Sequence, residues 1–241
     1  MMHVPQSRHE CRNLLLAMLP DEDYERLVPD LEYMRTPLHF KLFERNGPIH
    51  HAYFPLCGEH SILSTMSNGA SVEVGTVGYE GFSTVDLLTG NDIAITTTVC
   101  QIPGEALRME TGRFLALTNE DTPLRRICLR YLQAYLAQVS QAVACNALHS
   151  VEHRFARWIL MSHDRMHRAP FQLTHEYLAS MLGVHRPSVT LVAGRFQERG
   201  LIEYKRGVIT VLDRQGLEHA TCECYDLVRK QFQRLLGQSM M

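Results

Sequence analysis

The segment between residues 174 and 196, THEYLASMLGVHRPSVTLVAGRF, constrains the fold more than any other part of the sequence. Thr174 is a favoured N-cap, and Glu176 stands in the first turn of the helix that follows, where the helix dipole favours an acid. Gly183 is the residue type that most often ends a helix, and Pro187 suits the first position of a new one. The segment therefore predicts two short helices joined by a tight turn.

The outward face of the second predicted helix, residues 186–199, lacks the charges of an ordinary solvent-exposed helix. Val189, Val192 and Phe196 recur at helical spacing and are expected to face inward. The opposite face carries four uncharged residues, Pro187, Thr190, Leu191 and Gly194. Small or flat side chains let a helix approach DNA closely, and apolar ones contact thymine methyl groups. We therefore predict a helix-turn-helix whose second helix enters the major groove of double-stranded DNA.

A second DNA-contacting element is predicted directly after this helix. Residues 201–204 and 208–211 are strand-like, and they flank a basic turn that contains Lys205 and Arg206. Such a wing is well placed for contacts with phosphates. The residues predicted to contact DNA are Thr174, His185, Arg186, Pro187, Ser188, Thr190, Leu191, Lys205 and Arg206.

Charge is distributed unevenly along the 241 residues, whose formal net charge is −2. Residues 1–117 hold 8 Lys and Arg against 15 Asp and Glu, a net of −7. Residues 151–213 hold 9 against 6, a net of +3. This asymmetry favours contact between the second part and a polyanion, although chance segregation gives a similar pattern.

The sequence between residues 36 and 102 is strand-like. Short apolar or alternating runs are separated by turn signals at residues 46–48, 68–69 and 90–91. Asn68-Gly69 indicates a hairpin because both residues tolerate a positive φ. Many short strands at close spacing predict a small β-barrel or roll.

A long helix is predicted from Pro123 to Ser150, a stretch with no glycine and no further proline. One row of residues follows a repeating spacing of four and three that is typical of a coiled-coil seam. Its members are Cys128, Leu132, Tyr135, Val139, Ala142, Asn146 and His149. A second apolar stripe contains Leu124, Ile127 and Tyr131. A helix with two apolar faces can pack on its own domain and on a twin helix, so we predict a homodimer; the alternative is a core helix in a monomer.

The cysteines and histidines predict no bound metal. Seven scattered cysteines without a CxxC pattern are typical of free, mostly buried thiols. Cys222-Glu-Cys224 could hold a metal or sense oxidation, but it supplies two ligands only. The pairs His149/His153 and His163/His167 stand four residues apart, and no acid or cysteine completes either set at a recognisable spacing. We therefore expect neither a metal nor another cofactor.

The sequence also argues against catalysis and against a membrane location. It contains no GxSxG, HExxH, GxGxxG or Walker A pattern, so an enzyme is not expected. The apolar run at residues 14–19 is too short to cross a bilayer and is followed by Pro20 and three acids rather than a cleavage site. We therefore expect a cytoplasmic protein.

The order of β-roll, long helix and winged helix-turn-helix resembles that of the Crp/Fnr family of bacterial transcription regulators. The resemblance extends from about residue 27 to residue 212. It is most specific in VEHRFARWIL (151–160), LTHEYLASMLGVHRPSVT (173–190) and GLIEYKRGVITV (200–211). It implies a homodimer that binds a near-palindromic operator and contacts RNA polymerase. Arg186 matches the family's base-reading arginine, whereas Pro187 replaces the glutamate that often follows and Leu191 replaces a second arginine, so the preferred operator should differ.

The resemblance also bears on the signal that the protein detects. Family members that bind cyclic nucleotides use a Gly-Glu pair for the ribose and an Arg-Ser or Arg-Thr pair for the phosphate. The candidate effector residues here are Gly78, Glu80, Gly81, Asp92 and Ile93. Ile93-Ala94 occupy the arginine-serine positions, with Asp92 beside them, so a cyclic phosphate would lose its positive partner. Only Cys11 lies near the N-terminus, which excludes the family's iron–sulfur cluster.

These observations predict an α+β protein with four parts. They are a β-roll at residues 1–117, a dimerisation helix at 118–150, a winged helix-turn-helix at 151–217 and a helical tail at 218–241. The predicted function is DNA-binding transcription regulation in response to a signal other than cyclic AMP. The alternative is a ligand- or redox-sensing module whose basic domain docks a protein rather than DNA.

Overall fold

The structure is a computed structural model that describes residues 3–167 and 169–237. Contact density divides the described chain into two compact units. The first contains the residues up to Ile62 together with Thr76–Tyr135, and the second contains Leu63–Gly75 and the residues from Leu136 onward. None of the described helices is long and apolar enough to cross a membrane.

The strand-like sequence forms an antiparallel sheet, as predicted, and most of that sheet belongs to the first unit. Its strands are β1 (Glu32–Thr36), β2 (Lys41–Phe43), β3 (His51–Thr65), β4 (Ser71–Val77) and β5 (Thr97–Glu110). The strand order is β1-β5-β3-β4, and β2 also pairs with β5. The short helices α1 (Leu14–Ala17), α2 (Asp21–Leu27) and α3 (Thr111–Thr118) flank the strands in sequence. The predicted hairpin is confirmed, with Gly69 at φ +84° in the turn between β3 and β4.

Aromatic rings fill the core of the first unit. Phe54, Phe82 and Phe114 are fully buried, and their ring centroids lie 5.7 to 6.3 Å apart. Backbones also approach closely, since a Cβ on Gly104 would lie 2.1 Å from the carbonyl oxygen of Cys57. Only glycine fits at that crossing.

The long helix α4 (Pro123–Leu148) has 26 residues, and its burial corrects the predicted dimer seam. Cys128, Tyr135 and Ala142 are 0%, 6% and 8% exposed, so the chain itself covers these three predicted seam residues. Tyr135 stacks on Tyr131 with ring centroids 6.2 Å apart. These three members of the predicted seam therefore pack within the chain.

A different row of α4 is apolar and exposed. Leu129, Leu136 and Val143 are 40%, 55% and 65% exposed and stand seven residues apart. Leu132 and Val139, two residues of the predicted seam, are half-buried and alternate with them along the helix. The exposed apolar row therefore differs from the predicted seam at three positions. Leu129, Leu136 and Val143 take the places of the buried residues that directly precede them.

The second unit contains the predicted winged helix-turn-helix. Its helices are α5 (Val151–Arg165), α6 (His175–Leu182), α7 (Arg186–Glu198), α8 (Arg214–Ala220) and α9 (Cys224–Leu236). Its strands β6 (Phe171–Gln172), β7 (Ile202–Lys205) and β8 (Val208–Val211) form a sheet in the order β6-β8-β7. Phe155 of α5 packs on Phe196 of α7 with ring centroids 5.2 Å apart, and both are fully buried.

Candidate DNA-binding surface

The turn between α6 and α7 is held by local hydrogen bonds. The Thr174 hydroxyl accepts from the Tyr177 amide at 3.2 Å and caps α6, as predicted. Gly183 ends the helix at φ +61°, and the amide of Val184 donates back to the carbonyl of Ala179 at 2.9 Å. A left-handed residue at this position favours glycine, so the angle between the two helices depends on a local sequence signal.

The two faces of α7 differ as the sequence predicts. Val189 and Phe196 are fully buried, whereas Leu191 is 57% exposed. Arg186 is the first residue of α7, so Pro187 stands at the second position rather than at the predicted first one. The second position also accepts proline, because amides in the first turn of a helix have no intrahelical partner. A shallow depression on this face is lined by Arg186, Pro187, Thr190 and Leu191.

A contact that the sequence did not predict connects α6, α7 and the wing. The Nδ1 atom of His175 lies 3.1 Å from the Thr190 hydroxyl, which also donates to the Arg186 carbonyl at 3.2 Å. The His175 ring stacks on Tyr204 of β7, with centroids 4.3 Å apart and planes at 15°. The Tyr204 hydroxyl donates to the Leu173 carbonyl at 2.8 Å. His175 therefore positions Thr190 on the outward face of α7.

The protonation state of His175 suits this positioning role. Burial lowers the pKa of His175 first, and the positive charge of Arg186 lowers it further. The imidazole is therefore neutral at neutral pH, and it can donate its single ring N–H to the Thr190 hydroxyl.

The wing turn joins β7 to β8 and presents two basic residues. Arg206 and Gly207 have φ values of +53° and +78°, the combination of a tight two-residue hairpin. The Leu173 amide donates to the Gly207 carbonyl at 2.7 Å and ties the turn to the strand before α6. Lys205 and Arg206 are both exposed.

Positive charge on this surface is compensated at some positions and not at others. Arg195 and Arg199 lie 3.7 and 3.4 Å from the Glu152 carboxylate. Arg186, Lys205 and Arg206 form no ion pair with any carboxylate in residues 3–167 and 169–237. Three uncompensated cations therefore lie at the start of α7 and at the wing turn, where an anion can meet them.

Of the other predicted DNA-contacting residues, His185 is exposed at the N-cap of α7 and caps no amide with its side chain. Ser188 is half-buried in the first turn of α7, and its amide donates to the His185 carbonyl at 2.9 Å. Thr174 is exposed, but its hydroxyl already serves the cap of α6. The His185 ring can therefore contact a ligand, whereas the Thr174 hydroxyl already accepts a hydrogen bond from the Tyr177 amide.

The candidate effector residues do not share one environment. Glu80 is fully buried, and its Oε1 accepts from the Gly78 amide at 3.0 Å. A Cβ on Gly81 would lie 2.2 Å from ring atoms of Tyr131, so the tyrosine covers this turn. Asp92 and Ile93 are exposed, and Ile93 forms an isolated bridge with Pro48. The Tyr131 side chain therefore covers the turn that contains Glu80 and Gly81.

One cluster of metal-binding residue types was not predicted from the sequence. The ligand atoms of Cys145, His149, Cys222 and Cys224 all lie within 4.8 Å of one another. Cysteines therefore complete the set around His149, contrary to the prediction. The signal was present in Cys145 and His149, which stand four residues apart, and in the Cys-Glu-Cys segment. Neither half is sufficient alone, and about 75 residues separate them in sequence.

These elements form a winged helix-turn-helix that follows a β-roll and a long helix. Comparison with known proteins extends this description. Residues 153–220 match the Crp-like helix-turn-helix domain family. No curated protein matches the sequence significantly.

Solved structures extend the comparison to most of the chain. A CRP-family transcriptional regulator from Thermus thermophilus superposes with a TM-score of 0.65 at 16% identity, over 86% of this chain and 98% of that one. FixK2 from Bradyrhizobium japonicum gives 0.65 at 12% identity, over 80% and 98%. The c-di-GMP-responsive regulator CLP from Xanthomonas campestris gives 0.62 at 17% identity, over 80% and 99%. The predicted architecture is confirmed: the chain carries a Crp-like helix-turn-helix domain in the fold of CRP/FNR regulators.

Proposed function

We propose that the protein is a sequence-specific DNA-binding transcription regulator that acts as a homodimer and contacts RNA polymerase. The observation that carries this proposal is the outward face of α7. From its first residue to Gly194 the helix is uncharged apart from Arg186, and Arg186 has no carboxylate partner among the described residues. An uncharged helix face with one forked cation at its N-terminus suits insertion into a major groove. The protein acts by binding rather than by catalysis.

The wing supports the same proposal. Lys205 and Arg206 are exposed at the tip of a short antiparallel hairpin and are not neutralised by a described carboxylate. Cations on such a turn can contact the phosphates beside the groove that α7 enters. Phosphate contacts position the protein, and α7 reads the bases.

The dimer is proposed to form through the exposed row of α4. Leu129, Leu136 and Val143 alternate with Leu132 and Val139 at spacings of three and four, and Asn146 continues the row. Exposed apolar residues at these spacings suit knobs-into-holes packing with a second copy of the helix. A twofold dimer would present two copies of α7 to an operator with matching symmetry.

The signal is proposed to be something other than a cyclic nucleotide. Tyr131 covers Gly81, and Glu80 has no exposed surface. Several buried polar atoms of the β-roll have no hydrogen-bond partner among the described residues, including both side-chain amide atoms of Gln101 and the hydroxyl of Thr98. Such atoms favour a ligand or water inside the roll.

The salt dependence of duplex binding tests the proposed function. Binding through phosphates releases counterions, so affinity should fall steeply as salt rises, by about 0.9 log units per phosphate contact for each tenfold increase. Replacing Lys205 or Arg206 with Ala should flatten this slope by about one. Arg26→Ala, at an exposed position of α2, is the matched control and should leave the slope unchanged.

A different result would favour the protein-docking alternative. Duplex affinity that is weak at low salt and insensitive to salt would contradict DNA binding. Fluorescence anisotropy with genomic fragments selected by the protein supplies the measurement, and the same fragments reveal the operator.

A further inference from the structure

Four side chains converge where the end of α4 meets the segment between α8 and α9. Cys145, Cys222 and Cys224 form a buried cluster, and His149 lies beside it. Cys145 and His149 stand one helical turn apart, and the His149 amide still donates to the Cys145 carbonyl at 3.0 Å. Residues four apart on a helix project from the same face, so both point toward the two cysteines of the second segment.

Two of the six distances between ligand atoms match the edges of a tetrahedral zinc site, and none of the six exceeds 4.8 Å. The sulfur atoms of Cys145 and Cys222 are 3.6 Å apart, and the Cys224 sulfur lies 3.5 Å from Nδ1 of His149. Zinc–sulfur and zinc–nitrogen bonds of about 2.3 and 2.05 Å give tetrahedron edges of about 3.8 and 3.6 Å. A disulfide would need about 2.05 Å between sulfurs, so all four atoms are available as ligands.

We propose that Cys145, His149, Cys222 and Cys224 bind one Zn²⁺ ion in a Cys₃His site. Thiolate and imidazole ligands in a tetrahedral arrangement select zinc over hard cations such as Mg²⁺ and Ca²⁺. The four protein ligands fill the coordination sphere and leave no position for a substrate. The site is therefore structural.

The side chains that contact the four ligands are arranged as expected around a zinc ion. Nε2 of His149 lies 3.4 Å from the Glu223 carboxylate, which leaves Nδ1 for the metal. The Gln141 side-chain amide donates to the Cys224 sulfur at 3.1 Å. Carboxylate–histidine and amide–thiolate contacts orient ligands and tune their basicity in zinc sites.

Charge balance supports the same assignment. When Zn²⁺ binds, the three thiols release three protons to solvent, and the centre carries a net charge of −1. Arg157 is only 7% exposed, and its Nη1 contacts the Met161 sulfur at 3.7 Å. Its Nε has no hydrogen-bond partner among the described residues, and its charge acts on Cys145. A buried cation is stabilised by a nearby anion, and a zinc–thiolate centre supplies one.

The bound ion would join two distant parts of the second unit. It would link the end of α4 to the start of α9 across a loop of about 75 residues. This inference does not depend on DNA binding, because the site shares no residue with the surface of α7 or the wing.

Metal analysis of the full-length protein tests the proposal. Protein incubated with ZnCl₂ under reducing conditions and then desalted should retain about one zinc per chain. Substitution with Co²⁺ should give the visible absorption of a tetrahedral cobalt–thiolate centre. The double variant Cys222→Ser/Cys224→Ser should lose the zinc. Cys11→Ser/Cys100→Ser, which changes two buried thiols outside the cluster, should keep it.

Glu223, which contacts His149 but is not a ligand, provides a test by partial loss of zinc affinity. Glu223→Ala keeps all four ligands and should weaken zinc affinity 10- to 100-fold in competition with a chromophoric chelator. Unchanged affinity in Glu223→Ala would contradict the assigned contact between the carboxylate and His149.

Several results would overturn the site itself. These are substoichiometric zinc in the wild-type protein, iron with acid-labile sulfide in its place, or equal zinc in both double variants. If the cysteine variant does not fold, alkylation of the native wild-type protein decides. Zinc should protect Cys145, Cys222 and Cys224, and a chelator should expose them. Equal alkylation rates with and without the chelator would exclude the site.

Discussion

Among single residues, Arg186 and His175 show how the outward face of α7 is arranged. Arg186 stands at the N-terminal end of the helix without a described carboxylate partner. His175 holds the Thr190 hydroxyl from α6 and stacks on Tyr204 of the wing. The guanidinium is thus available, whereas the hydroxyl of Thr190 is already engaged. Arg186 is therefore the strongest candidate for direct base readout.

Arg186→Ala should change base preference as well as affinity. A guanidinium at the start of a recognition helix can donate to O6 and N7 of one guanine, and its loss should cost about 1–3 kcal/mol at that base pair only. Binding to a panel of single-base operator variants measures this. Lys205→Ala is the matched control and should weaken all operators alike. A uniform loss for Arg186→Ala would assign it to the phosphates and leave His185 and Ser188 as readers.

His60 predicts a pH dependence of stability. Its ring is fully buried, its Nδ1 lies 2.7 Å from the Ser83 hydroxyl, and burial lowers its pKa to about 3. An unfolded histidine titrates near pKa ~6.5, so below that pH the unfolded state binds a proton that the folded state does not. Stability present above pH ~6.5 is therefore lost as the pH falls, by about 3 kcal/mol at pH ~4.

Urea unfolding of wild-type protein and His60→Gln between pH ~7 and pH ~4 measures this loss. The variant should show a shallower fall in the free energy of unfolding, whatever its stability at neutral pH. His219→Gln, at an exposed position, should follow the wild type. Parallel curves for wild type and His60→Gln would contradict the assignment.

Among the secondary-structure elements, α4 carries a buried and an exposed apolar stripe that its sequence does not separate. One stripe packs within the chain, with Tyr131 against Phe82 at 5.5 Å between ring centroids. Another stripe, with Leu136 and Val143, is exposed. An exposed apolar row of this length on one helix is typical of an interaction surface.

Leu136→Asp combined with Val143→Asp should convert the proposed dimer to a monomer. Two charges on each helix would be buried without partners in the proposed interface, which costs far more than such an interface gains. Sedimentation velocity at micromolar concentration measures the change. Leu212→Asp, which is exposed outside α4, is the control and should remain dimeric. A wild-type monomer would contradict the proposed dimer.

In the molecule as a whole, the β-roll leaves the candidate effector residues without a shared open site. Tyr131 of α4 covers Gly81, and Glu80 is fully buried. Asp92 and Ile93 are exposed and offer no cation for a phosphate. A ligand that reached Glu80 would have to displace the tyrosine.

Calorimetric titration with cyclic AMP and cyclic GMP should accordingly show no binding at tens of micromolar, since a cyclic phosphate would lack a charged partner. Tyr131→Ala serves as the companion variant, because it removes the ring that covers Gly81. A low-micromolar isotherm with the wild-type protein would contradict the prediction and require another source of positive charge.

Features that depend on local signals could be predicted from the amino-acid sequence alone. The cap at Thr174, the left-handed Gly183 and the Asn68-Gly69 hairpin each follow from the intrinsic preferences of a few adjacent residues. The alternation of inward Val189 and Phe196 with outward Leu191 follows from helical periodicity. These signals were sufficient to predict the winged helix-turn-helix and the β-roll.

The sequence alone did not show which surfaces of the protein pack against each other. Periodicity indicated apolar stripes on α4 but not which residues the chain covers. Cys128 and Tyr135 are buried, whereas Leu129 and Leu136, one residue later in each case, are exposed. Contacts between distant segments are likewise invisible to local patterns. His175 meets Tyr204, and Cys145 meets Cys222 across 77 residues, because folding brings together side chains whose separation in sequence carries no signal.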